Sequence, residues 1–283
     1  NLVMQSLEKL QECGLIVMAV ICDCLAANVS MAKLLGCRVH EQCYDDLTTT
    51  FQCPGHSRDI HVIFDACHGL KLLRNILGDM GTLISSTYGV IQCKHIEVLH
   101  QLQEKESLNA ANKLSRAHVE YHRQIMKVKL AAQTFSASVR KALEFASELS
   151  LPGFEGCLGT VQFIGMVNKA FDLLNSSSPI AKGFKVPLRP STFHYQKEAM
   201  EQAGRELMAL QLVTGKPLVQ DSRRMSVIFL VFTLKSVSHL AQVIFEADLC
   251  RMLKGQHTTS STMDWVLAMQ CTLHHNLKAA VPG

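Results

Sequence analysis

The sequence lacks a long apolar run, a leader and a large excess of charge. No uninterrupted apolar stretch reaches the roughly 18 residues that a membrane span needs, which argues against a membrane protein. The first residues carry no basic stretch followed by a short apolar core, so they are not a signal peptide. They also lack an initiator methionine, and we expect the chain to begin inside a longer protein. Charged residues make up 18% and hydrophobic residues 48%, a globular balance that excludes a disordered chain.

Charge and cysteine content bear on the binding partner and on the redox compartment of the protein. The net charge is only +4, which alone does not indicate nucleic acid, but residues 94–143 carry nine Lys or Arg and four Glu. This local excess of +5 suits a phosphate-facing surface, although a solvated helix face often has the same composition. Eleven cysteines, an odd number without a secretory signal, indicate free thiols in a reducing compartment.

Two short apolar runs, residues 15–22 and 60–64, predict strands that are buried on both faces. Helices are predicted at residues 2–13, 26–35, 66–77, 128–143, 160–174, 198–212 and 227–245. The last of them is long and buried, although its apolar start could instead be a strand. Residues 38–59 are predicted as a loop, and the pattern after about residue 88 is mainly helical. The alternation of strand and helix indicates an α/β fold in which the two strands are adjacent and parallel.

Asp23 and Asp65 come directly after these two strands, so we expect both carboxylates at one edge of the sheet. The carboxyl ends of strands are where open α/β sheets bind ligands. Carboxylates there can hold Mg²⁺ together with water and phosphate oxygens. The alternative is that each aspartate caps the helix that follows it, and the pattern alone leaves both interpretations open.

The polar segment before the second strand has a spacing typical of zinc sites. His40 and Cys43 form one pair, Cys53 and His56 form another, and nine residues separate the two pairs. The other cysteines are scattered through predicted strands, so thiols are not concentrated where a metal would lie. A zinc site is therefore the weaker of the two interpretations of this loop.

No phosphate-binding loop is present, because Gly215-Lys216 lacks an upstream glycine and is followed by Pro217. Residues 168–172 nearly match the guanine-reading pattern Asn-Lys-x-Asp, with one residue too many. A carboxylate can accept from the two donors of guanine, but a short near match also arises by chance. In that alternative Phe171 is a core residue and Asp172 a surface charge.

Several longer stretches, in one order, are similar to P-element-type transposases, the group that includes THAP-domain transposases. These are VICD (20–23), NVS (28–30), LLGC (34–37), IFDACHGLKLLRN (63–75), ANKL (111–114), MKVKLAAQT (126–134), FDLLNS (171–176) and KGFK (182–185). The resemblance extends from about residue 2 to residue 187 and fades beyond residue 226.

The resemblance implies a partial RNase H-like mixed sheet with a mostly helical GTP-binding domain inserted before the last catalytic helix. The corresponding division is a core part at 1–108, the insertion at 109–221 and a divergent core part at 222–283. Asp23 would end the fourth strand and bind metal as a catalytic residue. Asp65 would end the fifth, as a second catalytic candidate that orients Lys71 or Arg74 towards DNA. The first three strands, the first catalytic Asp and the zinc-bearing DNA-binding module would be missing.

The resemblance also implies the ligands. Phe171 would stack on guanine, Asp172 would accept from its N1 and N2 groups and Asn175 would support that edge. Lys113 and Lys127 would meet the phosphates, with Val128 against the nucleotide and Lys129 as an alternative phosphate contact. The cofactors would be GTP and Mg²⁺ or Mn²⁺, and the partner would be DNA at transposon ends, not a membrane. The full-length protein would be nuclear and homo-oligomeric.

The far end departs from the family pattern. The family carries Gln-Asp-x-x-Glu on a late helix, and the corresponding stretch here, residues 261–267, places Val266 where the catalytic Glu belongs. Asp264 is the nearest carboxylate. The resemblance therefore implies a transposase core for metal-dependent DNA cleavage and strand transfer that is inactive as written. The alternative is a domesticated, non-enzymatic descendant that binds DNA or GTP.

Overall fold

A computed structural model describes residues 2–56, 58–106, 111, 113–176, 178 and 180–253, with side chains as far as residue 247. The helices are α1 (Leu2–Glu12), α2 (Ala26–Leu35), α3 (Ala66–Met80), α4 (Lys94–Glu106), α5 (Arg116–Val119), α6 (Val128–Thr134), α7 (Ala137–Glu148), α8 (Leu158–Leu174), α9 (Phe193–Met208) and α10 (Met225–Leu253). The strands are β1 (Ala19–Cys22), β2 (Thr50–Phe51), β3 (Ile60–Phe64), β4 (Thr82–Ser85) and β5 (Gly89–Gln92). The predicted α/β class is confirmed.

The main sheet has the strand order β1-β3-β2. β1 and β3 are parallel, with Ala19 opposite His61 and Cys22 opposite Phe64, whereas β2 runs antiparallel to β3. The predicted parallel pairing of the two apolar runs is therefore confirmed. β3 is buried along its whole length because it is the central strand.

The prediction for the first strand was wrong in its length and burial. β1 begins only at Ala19 and is half-buried throughout, while Leu15 and Ile16 are 55% and 71% exposed. Leu15 and Ile16 precede the residues that pair with β3, so they lie outside the sheet. β1 itself is an edge strand within the described residues.

The predicted loop at residues 38–59 also contains structure. Arg38 and Thr48 form an antiparallel bridge, and β2 follows. The hairpin β4–β5, which the helical pattern missed, is antiparallel and turns at residues 86–88. Gly89, the first residue of β5, has a φ of 78°. Both features are very short, so period-two alternation had too few residues to appear. The nine described cysteines outside α10 are free thiols, as the odd count indicated.

The core is organised around α10, which confirms the predicted long buried helix. It packs against α3, α9 and β3. The ring of Phe64 lies 5.0 Å from that of Phe229 and 5.1 Å from that of Phe232, and Thr233 donates a hydrogen bond of 2.7 Å to the carbonyl of Phe64. By length and composition alone, residues 225–247 could cross a membrane, but 78% of the apolar window is buried inside the protein. A core helix passes the same test.

The helices of the middle segment surround α8, which packs against α7, α9 and β5. Thr160 fixes the start of α8, since its hydroxyl accepts a hydrogen bond of 2.9 Å from the amide of Gln92 and lies 2.8 Å from Nδ1 of His95. Phe163 contacts Phe135 edge-to-face, with ring centroids 6.0 Å apart. α8 is thereby held as the central support of this segment.

Candidate functional site

Asp23 and Asp65 lie side by side at the carboxyl edge of the main sheet. The residues before them, Cys22 and Phe64, are register partners, and the amide of Asp65 donates to the carbonyl of Cys22 at 3.0 Å. The predicted placement of both aspartates at one edge of the sheet is thus confirmed. Asp23 is exposed and Asp65 is half-buried.

Both carboxylates also serve the helices that follow them. Oδ1 of Asp23 accepts hydrogen bonds from the amide of Leu25 at 3.1 Å and from Nδ2 of Asn28 at 2.6 Å. Oδ1 of Asp65 accepts from the amide of Cys67 at 2.9 Å, so Asp65 is the N-cap of α3. The capping interpretation is therefore correct for Asp65. Asp23 does not cap α2, whose N-cap is Leu25, and instead holds the turn before that helix.

The resemblance implied that Asp65 orients Lys71 or Arg74, both on α3, towards DNA. Burial lowers the pKa of Lys71, and the nearby Asp65 partly offsets this shift. Arg74 is only 3% exposed and is committed to the interior: Nη2 donates to the carbonyl of Gln124 at 3.0 Å, and the guanidinium lies 5.7 Å from the ring of Tyr121. An orientation of Arg74 towards DNA does not occur in this structure.

The described residues do not form a complete binding site for a divalent metal. No cluster there has three or more His, Cys, Asp or Glu side chains that could hold an ion. Asp23 and Asp65 contribute two carboxylates at most, and Val266 and Asp264 lie outside the described residues. The structure therefore offers carboxylates suited to Mg²⁺ but not the full ligand set.

The zinc-like loop does not form a metal centre either. His40 lies with Nδ1 at 2.8 Å from Nζ of Lys33, Cys43 is exposed, and Cys53 is buried. Nε2 of His56 is buried and makes no hydrogen bond. The spacing of the four residues in sequence does not bring them together as ligands.

Three of the predicted nucleotide residues lie at the end of α8. Phe171 is 7% exposed and belongs to the core. Asp172 is half-buried; its Oδ2 accepts a hydrogen bond of 3.1 Å from Asn168, and its Oδ1 lies 3.5 Å from Nζ of Lys185. Burial raises the pKa of Asp172, while Lys185 and Asn168 oppose this shift. Asn175 caps the helix, with its amide donating to the carbonyl of Phe171 at 2.9 Å.

The other predicted nucleotide residues belong to a different part of the fold. Val128 is buried as the first residue of α6, and α6 packs against α3. Lys113, Lys127 and Lys129 are exposed. They can meet an anion from solvent, but no interaction within the described residues ties them to Asp172. Their assignment as phosphate ligands stays a prediction.

Sequence reasoning missed a groove beside α8. A cavity of about 690 Å³ lies between α7, α8, α9 and the turn that contains Phe184. Its lining includes Asn168 and Lys169, the first two residues of the near match to a guanine-reading pattern, so a signal for this surface was present in the sequence. None of the seven predicted nucleotide residues lines it.

Comparisons with known proteins show which proteins this chain resembles. A family model described as TNP-like, GTP-binding insertion domain matches residues 67–187, and one described as TNP-like, RNase H N-terminal domain matches residues 1–36. The human protein named DNA transposase THAP9 is 33% identical over 236 residues, which are 83% of this chain and 26% of that protein. The predicted division at residues 109 and 222 stays a prediction.

A solved structure titled Drosophila P element transposase strand transfer complex shares the fold. It superposes with a TM-score of 0.72 over 99% of this chain and 65% of the other, at 20% identity. The chain therefore spans about a quarter of the human relative and less than two thirds of the solved chain. Two family models in sequence order, a relative at 33% identity and a common fold establish that this chain belongs to the P-element-type transposase family.

Proposed function

We propose that this chain is part of the catalytic core of a P-element-type DNA transposase, which cleaves and joins DNA with a divalent metal and uses GTP as a cofactor. The observation that carries the proposal is the place of Asp23, at the carboxyl end of β1 and one strand from Asp65. It is followed in the same chain by a region that matches a GTP-binding insertion domain. In the full-length protein we expect a nuclear, homo-oligomeric enzyme that acts on transposon ends.

Asp23 is the residue best placed to contribute a carboxylate to Mg²⁺ or Mn²⁺. Its Oδ1 is held by Leu25 and Asn28, which fixes the orientation of the carboxylate. Such outer hydrogen bonds commonly orient metal-ligating carboxylates. When bound, the metal would supply an activated water and stabilise charge on phosphate. The described residues do not complete its ligand set, so the chain as written is expected to be inactive alone.

A second candidate function is a non-enzymatic descendant that keeps GTP or DNA binding. One observation favours it, the valine at position 266, where the family pattern has its last catalytic carboxylate. Loss of that ligand removes metal-assisted chemistry without altering the surfaces that bind nucleotide. The two candidates share the nucleotide site and differ only in cleavage.

The nucleotide proposal rests on the environment of Asp172. A half-buried carboxylate with a raised pKa gains by accepting from two paired donors, which guanine offers and adenine does not. In the structure Nζ of Lys185 lies 3.5 Å from Oδ1 of Asp172 and neutralises its charge. For a base to bind, this oxygen of Asp172 would have to exchange the lysine for a donor of the base. Phe171 could stack only by exposing a ring face that the structure keeps in the core.

Calorimetric titration of the whole chain with GTP and with ATP tests this proposal. We expect GTP to bind more tightly, and Asp172→Asn to remove the preference, since the amide offers only one acceptor atom. Lys113→Ala should weaken both nucleotides if that lysine meets phosphate. Equal binding of GTP and ATP by the unmodified chain would contradict base reading by Asp172.

A further inference from the structure

The segment between α5 and α6 ends in a turn that carries two apolar side chains into solvent. The amide of Lys127 donates to the carbonyl of Gln124 at 3.0 Å, which closes a turn with Ile125 and Met126 at its tip. Ile125 is 46% exposed and Met126 is 67% exposed. Turn tips are usually polar, because glycine, asparagine, aspartate and serine supply the conformations and hydrogen bonds that turns need. These two side chains contribute little to the core, so their role lies at the surface.

Hydrogen bonds from α3 hold this apolar turn, residues 124–127, in place. Nη2 of Arg74 donates to the carbonyl of Gln124 at 3.0 Å, and Nδ2 of Asn75 donates to the carbonyl of Ile125 at 3.3 Å. Nε of Arg74 also donates to Oδ1 of Asn75 at 2.8 Å, so the two donors fix each other. The apolar turn therefore presents its tip from a rigid support, which limits the conformational entropy that binding would cost.

The apolar turn lies beside the carboxylate edge of the main sheet. Nζ of Lys71 donates to Sδ of Met126 at 3.9 Å. Lys71 is on α3, about 9 Å along the helix axis from the N-cap Asp65 at about 1.5 Å per residue, and long helical side chains point back towards the N-terminus. Burial lowers the pKa of Lys71, whereas the charges of Asp65 and Asp23 raise it. The ammonium group of Lys71 thus links the apolar turn to the two carboxylates.

Cations flank the apolar turn on both sides. Arg123 precedes its tip and Lys127 and Lys129 follow it, and all three are exposed. Arg123 has a distant ion pair, with Nη1 at 3.7 Å from Oε2 of Glu120. An apolar tip between cations is complementary to DNA, because phosphates attract the cations and base faces accept the apolar side chains. The same positive charge on both partners would oppose contact with a second copy of this chain.

We propose that the apolar turn is a DNA wedge, which inserts Met126 between two stacked bases of a duplex while Ile125 packs beside it and Arg123 contacts a flanking phosphate. Apolar side chains such as methionine and isoleucine unstack base steps in other DNA-binding proteins, and the resulting kink brings more DNA into contact. Next to Asp23 and Asp65, the wedge opens the duplex beside the carboxylate edge. The inference rests on the proposed transposase function and adds a DNA contact that the carboxylates do not provide.

Fluorescence anisotropy on the whole chain, without nucleotide, tests the proposal with two labelled duplexes. They share one sequence, but one is intact and the other carries a single unpaired base at its centre. Because the central step of the second duplex is already unstacked, we expect it to bind about tenfold more tightly. The double change Ile125→Ser and Met126→Ser should remove this preference. Arg123→Ala should weaken both duplexes equally and reduce the slope of log affinity against log salt by about 0.9.

Two further variants make the test specific to the apolar turn. Phe145→Ser combined with Leu149→Ser is the matched control, because these side chains are 58% and 54% exposed at the end of α7. It should leave both affinities unchanged. Met126→Leu keeps a side chain of similar volume and should keep the preference, and thermal melts check that every variant folds.

The possible results separate this inference from the broader function. Equal affinity of the unmodified chain for the two duplexes overturns the wedge and leaves DNA binding standing. So does a preference that survives in the double variant, or one that the control variant loses as well. A double variant that keeps the preference but loses self-association overturns the wedge and assigns the apolar turn to a protein contact. No binding of either duplex overturns both the wedge and the DNA-binding part of the proposed function.

Discussion

At the scale of single residues, His61 shows how burial in the central strand controls protonation. It is 3% exposed on β3, and its Nδ1 makes no hydrogen bond. Burial, together with the nearby His239 and against the opposing charge of Asp59, lowers its pKa from 6.5 to about 4. The folded protein therefore holds the ring neutral in a pH range where the unfolded chain would charge it.

The first prediction is an acid-sensitive stability. Because the folded pKa lies below the unfolded one, the contribution of His61 is complete above pH 6.5 and is lost as the pH falls towards 4. At pH 5 we expect a loss on the order of 2 kcal/mol from this residue relative to pH 7.5. Urea unfolding at the two pH values, on the chain and on His61→Gln, measures it. An equal pH dependence in both proteins would contradict this role.

Asp23 and Asp65 show that a sequence can predict the position of a residue without predicting its role. Their place after two strands was sufficient to predict a common edge, because parallel strands end on the same side. It could not separate capping from metal binding, since both uses need a carboxylate at that position. Only the hydrogen bonds to Leu25 and Cys67 resolved the local role. Arg74 was misjudged because its partners, Gln124 and Tyr121, come from a distant segment.

At the scale of elements, contact between α8 and the hairpin depends on Gly159. A Cβ at this position would lie 2.6 Å from the carbonyl oxygen of Tyr88 and closer still to that of Val90. Both obstacles are backbone atoms, which cannot rotate away as a side chain can. This close approach fixes the start of α8 against β5, and with it the groove further along the helix.

The second prediction follows from that contact. Gly159→Ala should lower the free energy of unfolding by about 2 kcal/mol, since overpacking outweighs the better helix propensity of alanine. Gly165→Ala is the matched control on the same helix, because its new Cβ meets only the flexible Arg140 side chain. The control should keep or gain stability, up to about 1 kcal/mol. Similar destabilisation by both changes would contradict this explanation.

Elements were predicted best where the hydrophobic period runs long. α2 begins and ends as expected, with Gly36 in the left-handed conformation after it, and α10 follows its apolar spacing. The residues before β1 were misassigned because an apolar run was taken to be buried on both faces. Burial depends on neighbouring strands, which the run itself does not encode. The groove was missed for the same reason, since it needs three helices at once.

At the scale of the whole molecule, the outer edge of β1 is the most exposed part of the described sheet. Leu15 and Ile16 lie in the segment just before it with large exposed surfaces, and the strand has a partner on one side only within the described residues. An unpaired edge next to apolar side chains is a template for pairing with another chain.

The third prediction is that the chain on its own self-associates through this edge. Ile16→Lys should reduce the association, because an exposed lysine opposes strand pairing. Val213→Lys is the control, since Val213 is 69% exposed away from the sheet. Light scattering on eluting protein at several concentrations measures the mass. A monomer at all concentrations, or an equal effect of both lysines, would contradict the prediction.

The fourth prediction separates the two proposed functions. Purified as written and supplied with Mg²⁺ or Mn²⁺, the chain should neither cut nor join DNA. Asp23 and Asp65 alone do not complete the ligand set of a metal ion, and without that ion the chain cannot activate a water or stabilise charge on phosphate. Retained GTP binding in the same preparation would fit a nucleotide-binding core whose DNA cleavage depends on metal ligands that this chain lacks. Cleavage that disappears in Asp23→Ala would contradict the assignment of Val266 to the glutamate position. Asp264 would then be the first residue to substitute, since a metal site built on Asp23 needs a second carboxylate from the far end of the chain.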